Sequence, residues 1–375
     1  MNASQLKKLM KFHRGFGMVL GILVLMWSLT GVLHPIMSAT QPQPTKRMPP
    51  FQQLHLEHAM PASQVLQQHS ITQFSALQAI ELQPKLVAYR VLKPNQNSAE
   101  YYDSQTSQLI KHGEQNDAKR LALWYTGLAK EQIVSAKLIT EFSDDYPSVN
   151  RLLPVWRVSF DNGLRAYVDP SQSRLATLSN DQKMWMARIF RLGHTWTWGD
   201  QAWLGQTILM QIALIGILVL VVMGVGLFFK IHNRKNHRLR QKPSRFLHRY
   251  LAISLSVFIT LWLISGFYHV WQKKPAVQNI QPIFNTQDLS LEAWQTATQQ
   301  PLQRLNLVPI ALNNAQAVAG WMVQFVGTPQ MQGSMTAVKE HDHHNQAKSA
   351  APTIELIDAK TSAKLDILEQ SIRLA

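Results

Sequence analysis

Four of the fourteen histidines in this 375-residue chain fall into two matched pairs, and the chain contains no cysteine. A gapless alignment of two distant apolar runs sets His13-Arg14 over His248-Arg249, Trp27 over Trp262, Thr30-Gly31 over Ser265-Gly266 and His34 over His269. A single offset serves every match, which is the mark of a duplicated structural unit. Two imidazoles facing each other from neighbouring helices are what a six-coordinate b-type haem asks of a protein. The lack of cysteine excludes disulfides, thiolate metal sites, iron–sulfur clusters and covalently attached c-type haem. The residues therefore predict haem b, two per chain, with His13 and His248 as ligands of one and His34 and His269 of the other. Within one helix the paired positions are separated by about 31 Å along the axis and fall about 60° short of whole turns, so both can face the same neighbour. Gly31 and Gly266, one turn before the second histidine of each run, would let a porphyrin edge or another helix approach the backbone. Trp27 and Trp262 read chiefly as packing, in a place that also suits electron passage. His194, in Arg191-Leu-Gly-His-Thr-Trp, is a further candidate, either as an alternative axial ligand of the outer pair or lining the haem edge. The plainer alternative, polar tips at helix ends finding water, suits a lone histidine better than matched pairs at membrane depth.

The elements that position these residues are apolar. Gly15 to Ser38, Gln201 to Phe229 and Tyr250 to Gln272 hold no Asp, Glu, Lys or Arg, and each exceeds the roughly 20 residues that cross a hydrocarbon core. The formal charge of +15 is concentrated beside them, in residues 1–14 and 230–249, which carry twelve Lys and Arg and no acid and leave only +3 for the rest. Short basic loops stay in the cytoplasm, and a local patch of this kind is not the footprint of nucleic acid. The predicted organisation is a cytoplasmic N-terminus (1–14), a first transmembrane helix (15–38), a periplasmic region (39–200), a second helix (201–229), a basic cytoplasmic loop (230–249), a third helix (250–272) and a second periplasmic region (273–375). Trp196, Trp198, Trp203, Tyr268 and Trp271 are expected to form an interfacial aromatic belt.

In the outer regions, residues 39–50 read as a Pro, Gln and Thr linker. Trp156 to Phe160, the turn Asp161-Asn-Gly163 and Leu164 to Val168 predict a hairpin. An Asp-x-x-[Thr/Gln]-Ser pattern recurs at 103–107, 169–173 and 358–362, and Trp321 to Phe325 echoes Trp156 to Phe160. Both outer regions are thus expected to be copies of one α+β unit. An insert at 331–350 in the second carries Met331, Met335, His341, Asp342, His343 and His344. His341, His343 and His344 are a weak metal-site candidate, with a polar loop tip the stronger reading. No nucleophile elbow, phosphate-binding glycine loop, zinc-protease motif or dinucleotide fingerprint is present.

Lys11-Phe-His-Arg-Gly-Phe-Gly17 leading to Thr30-Gly31, Leu192-Gly-His194 before the second run, Leu247-His-Arg-Tyr250 leading to Ser265-Gly-Phe-Tyr-His269, and Tyr167-Val-Asp169 resemble the PepSY-associated transmembrane proteins of bacterial inner membranes. The resemblance covers nearly the whole chain. It implies an α-helical integral membrane protein with three transmembrane helices plus periplasmic α+β PepSY-like modules. Many relatives carry a fourth span, whereas here Glu369 to Ala375 ends the chain without one. Some members are similar to ferric-siderophore reductases, which implies reduction of siderophore-bound or other periplasmic ferric iron. With no flavin or nicotinamide motif, the electron donor would be a quinol in the bilayer or a cytoplasmic flavoprotein. Two rivals are a membrane-anchored PepSY interaction or regulatory protein without redox activity, and a periplasmic metal-handling protein centred on the insert.

Overall fold

The computed structural model describes residues 3–196, 203–232, 243–271, 282–310, 318–326 and 354–365. The insert at 331–350, with His341, His343 and His344, lies outside these residues, as does Trp198. In chain order the elements are α1 (Ala3–Thr40), α2 (Ala62–Gln68), β1 (Gln73–Phe74), β2 (Ala76–Gln83), β3 (Leu86–Leu92), β4 (Glu100–Asp103), α3 (Gly113–Thr126), β5 (Ile133–Ile139), β6 (Val155–Phe160), β7 (Arg165–Asp169), β8 (Arg174–Ser179), α4 (Asp181–Phe190), α5 (Trp203–His232), α6 (Pro243–Trp271), β9 (Phe284–Asn285), α7 (Leu291–Ala297), β10 (Leu302–Ile310), β11 (Val318–Phe325), β12 (Ile354–Asp358) and β13 (Lys364–Leu365). They fall into two compact units, one of residues 1–41 and 181–277, the other of 42–180 and 278–375.

In the first unit, α1, α5 and α6 are long and apolar enough to cross a membrane. A helix satisfies its own backbone, which is the condition for crossing lipid. The helical paths continue past the apolar runs at the basic end, so that His13-Arg14 lies inside α1 and His248-Arg249 inside α6. Small residues set the packing: Gly17 faces Leu220, Gly216 faces Leu20, and Gly266 faces Leu214. The helix α4 and a π turn at Arg191–Thr195 pack along α1.

The second unit is β-rich. Each of its three sub-units runs helix, three strands, an Asp turn and a closing strand: α2 with β2 to β4 and a bridge at Leu109, α3 with β5 to β8, and α7 with β10 to β13. The Asp turns are built alike. Asp103 Oδ1 accepts from the backbone N–H of Gln105 and Thr106, Asp169 Oδ1 from Ser171, and Asp358 Oδ1 from Lys360 and Thr361. The closing Ser107, Ser173 and Ser362 all take left-handed backbone, with φ of 61°, 50° and 64°. The expectation of one copy per outer region is corrected: the first region holds two sub-units, and the threefold recurrence of the Asp pattern was their count.

Beside the two-stranded pair β1-β9, two larger sheets result among the described residues, ordered β13-β12-β11-β10-β2-β3-β4 and β5-β6-β7-β8. The larger joins the first and third sub-units through their leading strands, Leu305 opposite Ala79 and Asn306 opposite Gln78, antiparallel. Its core places Trp294 edge-on to Tyr89 and to Trp321, both at 5.6 Å between ring centres. The smaller sheet packs Val158, Ala166, Val168 and Leu178 against Ala118, Leu121, Ala122 and Tyr125 of α3. Glu114 in the first turn of α3 accepts from Arg90 (2.8 Å), Ser98 (2.7 Å) and the Trp156 indole (3.2 Å), tying both sheets to that helix.

Candidate functional site

At the basic end of the membrane unit, α1, α5 and α6 surround an open-sided cavity of about 860 Å³. His13 and His248 both line it, together with Lys7, Lys11, Arg14, Arg245 and Arg249, over a wall of Val221, Leu227, Phe228 and Ile259. Gly224 of α5 makes room for the His13 ring, since a Cβ there would meet His13 Cε1 at 3.3 Å. Among the described residues, His13 Nδ1 and Arg249 Nε and Nη2 are buried without a hydrogen-bond partner. Buried nitrogens without partners are costly in a membrane unit, so this cavity has the polar demand of a ligand site as well as the shape of one.

The donor set suits a haem. His13 and His248 are the residues that would hold its iron, with the apolar wall and the cations as the surroundings they would give it.

At the far end the structure groups His194 with His34 and Gly31. The backbone N–H groups of the π turn do not hold His194; the α1 helix does. The Trp27 indole donates to the His194 carbonyl (3.0 Å), and His194 Nδ1 lies 3.2 Å from the Trp27 carbonyl. A carbonyl only accepts, so Nδ1 carries the hydrogen and Nε2 keeps its lone pair, the arrangement typical of a metal-binding histidine. Gly31 permits it, a Cβ there standing 3.2 Å from His194 Cε1. Phe190 stacks on His194 at 4.7 Å and lies 5.8 Å from His34. Burial first, with the charge of His34 adding to it, holds His194 below the ordinary imidazole value despite its bond to Trp27. His194 is therefore neutral at physiological pH and ready to ligate.

His269, the symmetry mate of His34, is exposed on α6, and Gly266 faces Leu214. The duplication brings Trp27 and Trp262 edge-on at 5.6 Å and sets His13 and His248 on one cavity, while the far end pairs His34 with His194 rather than with its repeat mate. Trp196 corrects the expectation of an aromatic belt residue: it is 5% exposed and stacks on Trp27 at 5.1 Å, a core position. Its role is invisible in the sequence because a π turn leaves no periodic signal. Among the described residues no cluster of three or more His, Cys, Asp or Glu is placed to hold a metal ion.

The profile of the PepSY-associated TM region family matches residues 10–360. The chain belongs to that family. It is a membrane protein whose helices are joined to a β-rich region. No curated protein and no solved structure matches it significantly.

Proposed function

We propose that this PepSY-associated protein is a bacterial inner-membrane haem b electron-transfer protein, taking electrons from a bilayer quinol or a cytoplasmic flavoprotein and delivering them to ferric iron, siderophore-bound, in the periplasm. The observation that carries the reading is the inner cavity, where equivalent histidines of two duplicated helices meet a basic rim and unpartnered buried nitrogens. The basic end then lies in the cytoplasm by the distribution of Lys and Arg, and the β-rich unit in the periplasm.

A bound haem b supplies a one-electron couple. His13 and His248 offer axial nitrogens, Arg14 and Arg249 offset acidic groups at the cavity mouth, and Gly224 keeps α5 clear of the His13 ring. At the periplasmic end Trp27 fixes the tautomer of His194, and His194 with His34 presents a second pair of imidazoles; His269 remains a candidate for the same position. Electron delivery labilises siderophore iron because hard oxygen ligands hold the ferric ion better than the ferrous one.

The test is a reduced-minus-oxidised spectrum of detergent-purified protein, with a pyridine haemochrome assay. About two haems per chain are expected, falling to about one in His248→Ala. Protein free of haem from a haem-sufficient host would overturn the reading and favour a membrane-anchored interaction module.

A further inference from the structure

The three sub-units of the β-rich unit differ in what lies beside their leading strand. β2 and β10 are each other's neighbours. β5 has β6 on one side and, among the described residues, no strand on the other. It is the longest edge strand among the described residues, and Val134, Ser135 and Lys137 are exposed along it, Val134 to 69%. A long edge with open N–H and C=O groups is a template for another strand.

The chain itself shows how this edge is met. In the larger sheet the leading strand of one sub-unit is covered by the leading strand of another, antiparallel. The bulge between Ile133 and Ser135 is no obstacle, because β10 has one in the same place, between Leu302 and Arg304, and pairs through the residues that follow it. Leu305 and Asn306 follow that bulge as Ala136 and Lys137 follow the one in β5.

We propose that β5 is the self-association edge of the protein: β5 of a second copy of this chain adds antiparallel to it about a two-fold axis, repeating between copies the junction that β2 and β10 make within one. The two four-stranded sheets then form one continuous sheet, an isologous contact. Asn306 and Gln78, which face each other in that junction, both correspond to Lys137 of β5, so Lys137 stands opposite the partner's Lys137 and Ala136 opposite its Leu138; the like charges weaken the contact slightly without blocking it. One acceptor of the edge, the Ala136 carbonyl, takes a 3.0 Å bond from the Gln115 side chain. That side chain occupies a place which the incoming backbone N–H takes over, so Gln115 acts as a removable cover.

The chain has no cysteine, so engineered pairs report without background. Full-length protein carrying Lys137→Cys, which meets its own symmetry mate across the junction, is oxidised in the native membrane and run without reductant. A disulfide-linked dimer is expected, with a higher yield when Gln115→Ala is added. The same treatment of Arg174→Cys, on the opposite edge strand β8, is expected to give monomer. Equal cross-linking at both edges would overturn the proposal. The unmodified protein gives an independent reading by analytical ultracentrifugation in detergent: twice the 42.7 kDa chain mass is expected. A monomer overturns it, as does a monomer whose β5 amides resist hydrogen exchange, which would mean that the edge is covered by another segment of the same chain. None of these readouts depends on haem.

Discussion

Trp27 does three things from one position. It is 3% exposed, its ring contacts Trp196 and Trp262, and its indole N–H and carbonyl both engage His194. These roles separate by substitution. Trp27→Phe keeps an aromatic ring between the two tryptophans but strands the buried His194 carbonyl, which costs about 1–3 kcal/mol. Lower thermal stability in detergent is expected, read by tryptophan fluorescence. Under the haem reading, the electron paramagnetic resonance signal of the far-end site broadens or shifts while that of the inner site stays in place. Equal change at both sites would mean that Trp27 acts on the bundle as a whole and not on His194. The inner histidines were legible in the sequence because a single offset repeats His, Arg, Trp, Gly and His, and parallel helices put equal positions at equal depth. At the outer pair the sequence offered His194 beside His269 without choosing between them, because helix periodicity says nothing about a π turn folding back on α1.

Element by element, α3 has the most demanding setting, since its first two turns carry acids into a protein interior. Arg90 and Glu114 are both buried and directly paired, so each removes the cost of the other, and deleting one partner would leave a buried charge worth several kcal/mol, roughly 3–5. Asp117 differs. It accepts from Tyr101 and Arg120, yet burial outweighs Arg120 and raises its pKa above the usual carboxylate value. Because the folded value exceeds the unfolded one, the wild-type fold is favoured at low pH and loses that contribution as pH rises from the unfolded value through the folded one. Asp117→Asn has no such loss. Its stability relative to wild type is therefore expected to improve on going from about pH 4 to neutrality, measured as the difference in melting temperature of the full chain in detergent. A difference independent of pH would show that folding leaves the Asp117 pKa unshifted. The sequence signalled α3's strands and turns, through Asp161-Asn-Gly163 and the Asp pattern, but not this network. Pattern reading registers Glu114 and Asp117 as surface charges, and only the packing of α3 on both sheets encloses them.

At the scale of the whole molecule, duplication operates twice: α1 and α6 repeat within the membrane unit, and a helix-and-meander unit occurs three times in the β-rich one. In the third copy residues 327–353 join β11 to β12, strands that pair from Gln324 and Ile354 onward. β3 and β4, the equivalent strands in the first copy, are joined by a far shorter connection, so the meander itself does not require those residues. Replacing 327–353 with a four-residue turn containing Asn-Gly, which favours tight antiparallel reversal, shortens the loop that folding must close and is expected to stabilise the unit by about 1 kcal/mol. Haem content and ferric reduction should be unchanged in the purified protein, while binding of copper or zinc through His341, His343 and His344, if measurable by calorimetry in the parent, should vanish. The contrast is sharp because the two proposed activities would reside in different parts of the chain. Loss of ferric reduction with the haem spectrum intact would move iron handling from the histidine pairs of the helices to the insert, and would make the membrane unit an anchor for it.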